Sequence, residues 1–146
     1  MSFALTWAKP VKPGSVYTSR GRAICGVVAL ERDGRVWMVE SKRDGYILPK
    51  GGWDTERDHD WIDCVEREAR EEAGVIVDRA SCQHLSVQDD VTWFKCRVTG
   101  HGQRTDPSLA NRGPPHAFDV PTAWRWLQHG DQNKKSGMHK ALRAAT

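Results

Sequence analysis

The chain has 146 residues, 28% of them charged and 38% hydrophobic, with seven tryptophans, four cysteines and a formal net charge of only +3. That length suits one domain around one core, no apolar run approaches a membrane span, and the cysteines show neither a Cys-x-x-Cys pair nor the His spacing of a zinc site. The charge is uneven. Residues 54–72 hold nine of the nineteen acids and three of the twenty-two basic residues, which leaves a strongly basic remainder. An acidic segment inside a basic shell suits a polyanionic substrate that meets metal ions, and nucleic acid, nucleotides and inositol polyphosphates all fit; a small molecule is the first expectation, with no membrane partner.

In chain order, residues 1–19 contain Pro10, Pro13 and Gly14 without periodicity and read as an irregular lead-in; residues 20–146 read as the single domain. Ala23–Leu30 and Val36–Ser41 are β-rich and flank the turn Glu31–Arg35, a hairpin pattern. Tyr46–Leu48 is a short strand feeding the glycine loop of Lys50, Gly51 and Gly52. Trp61, Ile62, Val65, Ala69 and Ala73 then recur at three- and four-residue steps, Asp60 is a capping type and Gly74 stands where helices stop, so a helix is predicted from about Trp61 to Ala73. Val75–Val77, His84–Gln88 and Val91–Val98 read as strands, with a tight turn at Asp89-Asp90. Residues 100–115 are rich in Gly, Pro, Asn and Asp and read as a loop, after which His116–Val120 returns to the sheet. Pro121 starts a helix, Gly130 follows its end, and Ser136–Ala144 forms a last helix. The expected class is α/β, a mixed sheet with helices on its faces.

The predicted central helix is unusual in its charges. At about 100° per residue Glu68 and Glu72 share a face and Glu71 falls beside them. Like charges at these spacings destabilise a helix, and acids in the last turn oppose the macrodipole. A hard cation such as Mg2+, which takes oxygen ligands, reverses both penalties.

The string Arg67-Glu68-Ala69-Arg70-Glu71-Glu72-Ala73-Gly74 behind a Gly-Gly loop resembles the signature of the Nudix hydrolases, which cut phosphoanhydrides with Mg2+ or Mn2+. The resemblance implies an α/β/α sandwich with a catalytic loop-helix-loop, metal ligands at Glu68 and Glu72 together with the Gly51 carbonyl, Glu71 as a further ligand or the base for water, and Arg67 as the residue that orients carboxylates. The pattern departs in one place. The family's Gly fourteen residues before the Arg and Glu eight residues before it fall on Trp53 and His59, and Glu56 is the nearest acidic replacement.

Three basic clusters carry the substrate reading: Arg20 and Arg22 before Ala23, Lys42 and Arg43 after Ser41, and Lys50 before the glycines. With the stretch Leu48–Trp53, and with Phe118–Leu127 followed by Lys134 and Lys135, they look like the diphosphoinositol polyphosphate phosphohydrolases, a Nudix group whose fungal-type members open the loop as Leu-Pro-Lys-Gly-Gly-Trp. That likeness implies removal of the β-phosphate of an inositol pyrophosphate, with Arg20, Arg22, Ser41, Lys42, Arg43, Lys50, Gly52 and Lys134 about the substrate. A ring crowded with phosphates calls for several cations from different segments. An adenine base calls instead for an aromatic sandwich, for which Trp53, Trp93 and Phe94 are the candidates, so a diadenosine polyphosphate or capped RNA end is the alternative. A binding module without turnover is the third reading, motivated by the displaced signature residues.

Cys25 and Cys96 sit in apolar strands as small core residues, and the sequence leaves open whether the four thiols are free or make two disulfides. The first 20 residues lack the charged-then-apolar order of a signal peptide, so the cytoplasm or nucleus is expected; a secreted protein already freed of its leader reads the same. Oligomeric state has no signal.

Overall fold

The computed structural model describes residues 17–18, 21–88, 90–109 and 112–146. Most of the lead-in, Arg20 and the Asp89 half of the expected turn lie outside the described residues, as does the side chain of Arg22.

A two-residue ladder, β1 (Tyr17–Thr18) with β2 (Gly21–Arg22), precedes the main sheet, so the lead-in ends in an ordered antiparallel pair. The hairpin then forms as its pattern predicts. β3 (Ile24–Leu30) and β4 (Val36–Glu40) run antiparallel with Leu30 opposite Val36, and Gly34 takes the left-handed turn position at φ 90°. β5 (Tyr46–Ile47) pairs with β4. The glycine segment is a strand where a loop is expected: β6 (Lys50–Gly52) lies antiparallel on β3, with Cys25 facing Gly51 and Gly26 facing Lys50. The backbone partners it needs lie along the N-terminal half of β3.

The central pairing is parallel. All seven residues of β3 run alongside β9 (Val91–His101), from Ile24 beside Val91 to Leu30 beside Arg97. β9 extends past the expected Val98 because β7 (Val75–Val77) pairs with its far end, Val75 opposite His101. β8 (Gln83–Gln88) covers the near part of β9, and β10 (His116–Phe118) closes the other edge on β4. The path β10-β4-β3-β9-β7 is a mixed sheet.

Alternation along β3 and β9 sorts the two faces. Cys25 meets Cys64 of α1 (Trp61–Glu68), and Phe94 meets Trp61, so the catalytic-helix candidate covers one face. On the other face the ring of Trp93 occupies the space beside Gly26 and reaches Gly137 of α3 (Gln132–Ala145). α2 (Val120–Leu127) packs beside β4 and β5. An α/β/α sandwich results, as expected. Each helix starts on an aspartate whose side chain accepts backbone N–H bonds: Asp60 for α1, Asp119 for α2 and Asp131 for α3. The last cap lies five residues before Ser136, and α3 is accordingly longer than its apolar pattern predicts.

Candidate active site

The predicted helix is two helices in series. α1 is α-helical through Glu68, and Ala69–Ala73 is a π turn ended by Gly74 in the left-handed conformation at φ 68°. The widened turn carries Glu71 and Glu72, the pair whose crowding disfavours a regular helix end. Its open C-terminal carbonyls are taken by the following loop. Glu71 O accepts from Thr105 N (3.2 Å) and Asp106 N (3.0 Å), and Gly74 O accepts from Gly102 N (2.7 Å).

Arg67 organises the inner face. Its side chain is buried, and it donates Nε to Asp58 Oδ1 (3.0 Å), Nη2 to Asp58 Oδ2 (2.7 Å) and to Gly52 O (2.7 Å), and Nη1 to Glu68 Oε1 (2.8 Å) and Glu71 Oε2 (3.1 Å). Arg67 thus contacts three carboxylates and the glycine strand at once. The acid that completes the pair is Asp58, only 2% exposed, and not the exposed Glu56, whose backbone N–H caps Asp54 instead. Asp58 stands one position before the family's Glu, so the lengthened loop restores the contact from a neighbouring residue. The same loop contributes Arg57, which donates to Glu71 Oε1 (2.8 Å) and Asp54 Oδ2 (2.9 Å). A lone exposed arginine gives no sequence signal for this. Asp106 is a third residue missed by the sequence reading, hidden in a stretch of loop composition.

Any side chain at Gly51 would displace the Glu68 carboxylate. A Cβ there would lie 2.0 Å from the Glu68 carboxylate, which rests directly on the glycine backbone. Glu72 Oε2 accepts from Lys50 N (2.9 Å), so the two glutamates seize neighbouring points of β6. Burial pushes the Glu68 carboxyl up to about 7, against the pull of Arg67 and with the push of Glu71 and Asp106. Burial likewise raises Glu72 to about 8, with Glu68 the next cause. Two carboxylates are held out of water with too few cations to match them. Among the described residues no three or more Asp, Glu, His or Cys side chains are gathered as a ready coordination shell, since arginines hold both oxygens of Glu71 and one of Glu68.

The structure brings the predicted phosphate-binding residues together in part. The antiparallel hairpin places the end of β4 beside the half of β3 that carries β6, so Lys42, Arg43 and Lys50 lie toward one end of the sheet. Ser41 is buried, and its Oγ accepts from Asp44 N (2.8 Å), which shapes the loop that bears Lys42 and Arg43. Lys134 reaches that loop through Asp44 Oδ2 (3.1 Å), and the wholly buried Lys135 ties it to α2 through the carbonyls of Asp44, Trp126 and His129. The three aromatic candidates do not line this region as open rings. Trp53, Trp93 and Phe94 are core residues, Trp53 packed edge-on against Trp61.

Residues 20–142 match the model of the NUDIX domain. The chain belongs to this family. Among curated relatives, an RNA pyrophosphohydrolase of Xanthomonas campestris pv. campestris is 27% identical over 124 residues, covering 70% of this chain and 57% of the relative. An RNA pyrophosphohydrolase of Stenotrophomonas maltophilia is 26% identical, covering 70% and 56%. The chain thus spans little more than half the length of the curated relatives it matches. An ADP-ribose pyrophosphatase from Streptococcus suis superposes with a TM-score of 0.51 at 23% identity over 68% of this chain and 74% of that one. A MutT structure described for Aliivibrio salmonicida and Vibrio cholerae gives 0.56 at 14% identity over 85% and 98%. These likenesses establish the Nudix fold.

Proposed function

We propose that this chain is a divalent-metal-dependent phosphoanhydride hydrolase that removes the β-phosphate of a diphosphoinositol polyphosphate. The observation that carries the reaction class is the pair of desolvated glutamates, Glu68 and Glu72, fixed on the glycine strand with their carboxyls raised to about 7 and about 8. Such a pair fits a hard divalent cation, Mg2+ or Mn2+, held by Glu68 and Glu72 with the Gly51 carbonyl and supported by Glu71. When bound, that cation supplies charge neutralisation at the phosphates and a more acidic water for in-line attack.

The protein's own residues do the rest. Arg67 locks Glu68 and Glu71 relative to β6, and the Lys50 amide holds Glu72. Glu71 is the base for water; Arg57 holds its Oε1 and must release it for that proton. Arg20, Arg22, Lys42, Arg43 and Lys50 place the phosphates, with Gly52 beside them and Ser41 and Lys134 setting the loop. Recognition by charge is favoured over base stacking because the aromatic candidates are in the core. The contact between Asp58 and Arg67 makes good the displaced signature Glu, which supports turnover over a binding module.

A second reading, removal of pyrophosphate from a triphosphorylated or capped RNA end, is favoured by the relatives at 26% and 27% identity. Orthophosphate release from diphosphoinositol pentakisphosphate with Mg2+, run beside pyrophosphate or nucleotide release from capped RNA and diadenosine polyphosphates, separates the readings. Fast release from the inositol substrate, abolished by Glu71→Gln in a folded protein, is the expected result. Turnover of RNA alone would replace the substrate while keeping the reaction, and turnover of none would overturn both.

A further inference from the structure

The fold sorts the four cysteines into two pairs that differ in access. Cys25 of β3 and Cys64 of α1 have their Sγ atoms 2.8 Å apart, and both are fully buried. Desolvation pushes the Cys25 thiol well up, and a buried protonated thiol is inert to reagents in solution. Cys82 and Cys96 are the contrasting pair. Gln83 of β8 faces Lys95 of β9, so the next position outward sets Cys82 across from Cys96, while Cys82 Sγ donates to Asp78 O (3.6 Å). Cross-strand neighbours have Cα atoms about 4.5 to 5.5 Å apart, inside the roughly 4.4 to 6.8 Å that a disulfide spans. Cys82 is half-buried and reachable, whereas Cys96 is buried.

The surroundings point to a small anionic reagent. A cavity of about 390 Å³ opens beside Cys96, lined also by Leu30, Glu31, Arg32, Ser81, Lys95 and Arg97, so three basic side chains outnumber one carboxylate around it. The neighbouring Cys96 thiol lowers the Cys82 thiol below its usual range, and Cys96 is correspondingly raised. An accessible thiol of lowered pKa next to a resolving thiol is the pattern of a reversible redox pair.

We propose that Cys82 and Cys96 form a reversible cross-strand disulfide, a modification site separate from the carboxylate site, by exchange with a low-molecular-weight anionic disulfide such as glutathione disulfide. The Cys82 thiolate attacks one sulfur of the reagent, whose S–S bond breaks and releases one glutathione thiolate. Cys96 gives up its proton to solvent and attacks the Cys82 sulfur of the mixed disulfide, releasing the second. Two protein thiols are oxidised to one disulfide, and one small disulfide is reduced to two thiols. The bond would staple the 3₁₀ turn Arg79–Ser81 onto β9, and Arg79 of that turn contacts Asp60, Asp63 and Glu66 at the outer face of α1.

The test is to equilibrate the full chain with glutathione disulfide, denature it, and count free thiols and map disulfides by peptide mass. The expected result is a fall from four thiols to two, a Cys82–Cys96 linkage, and a rise in Tm of about 5 °C from closing a short loop. C96S, which keeps the attacking thiol but removes the resolving one, should instead hold one glutathione on Cys82. C64S should still lose two thiols. Four thiols surviving in the wild type, a linkage between Cys25 and Cys64, or no adduct in folded C96S would each overturn the proposal.

Discussion

The two faces of α1 carry the same residue types to opposite effect. On the outer face Asp60, Asp63 and Glu66 meet Arg79 at 3.1 Å, at 2.7 Å and in close contact respectively, with side chains that keep a quarter to a half of their exposure. On the inner face Asp58, Glu68 and Glu71 share Arg67, and among the described residues the hydrogen bond to Glu72 comes from the backbone N–H of Lys50. Water and salt screen the outer pairs, so their net effect is small. The inner carboxylates are desolvated and outnumber their cations, so they are held against their own electrostatics. A fold selected for stability alone gains nothing from the second arrangement, whereas a fold that receives a divalent cation gains a site.

The sharpest way to break this contrast is to remove the shared inner cation. Arg67→Ala leaves Asp58 buried and unpaired and frees Glu68 from its only ion pair among the described residues. The expected loss is about 3–5 kcal/mol in denaturant unfolding. A loss under 1 kcal/mol would mean that Arg67 is not the keystone of the inner face.

Glu72→Gln should act in the other direction on stability. It removes a desolvated charge without changing volume, so the metal-free protein should gain on the order of 1–2 kcal/mol at pH 9 while losing hydrolysis. The gain should shrink at pH 6. Glu68 and Glu72 have folded pKa values of about 7 and about 8, raised above the ordinary 4.5. Between the ordinary and the raised values the folded state binds more protons than the unfolded state, so stability falls as pH rises through that window. Thermal melts in chelator should therefore show Tm dropping by about 5 °C or more from pH 5 to pH 9, and Mg2+ should reverse the drop. A Tm that rises over this range would contradict the burial of both charges.

Arg79→Ala should have the smallest effect. Its partners are on the exposed face, and the expected loss is under about 1 kcal/mol with hydrolysis unchanged. A loss as large as that of Arg67→Ala would erase the distinction between the faces.

Most of the fold was legible because periodicity reports burial. β3, β4, β7 and α1 stand where their alternating or helical patterns put them. The misses have physical causes. Gly51 and Gly52 have no side chains to show alternation, so β6 was hidden until β3 supplied its ladder partners. Gly100 and His101 have loop composition, yet β7 recruits them into β9 through backbone bonds that no side chain announces. The π turn arises from crowding among Glu68, Glu71 and Glu72 and from the docking of Thr105 and Asp106, which is a tertiary event. Glu68, Glu71, Glu72 and Arg67 stood out by their spacing, and the structure gathers them against the glycine strand. Asp58, Arg57 and Asp106 were not, because a lengthened loop and a distant loop reach the helix only in three dimensions.

Inner carboxylates left unmatched by cations make a site for a divalent cation. Calorimetric titration of Mn2+ into the wild type and into Glu72→Gln, with Arg79→Ala as the outer-face control, tests it most directly. Saturable binding is expected in the wild type and in Arg79→Ala, weakened at least tenfold in Glu72→Gln. Equal binding in all three, or none in the folded wild type, would contradict it.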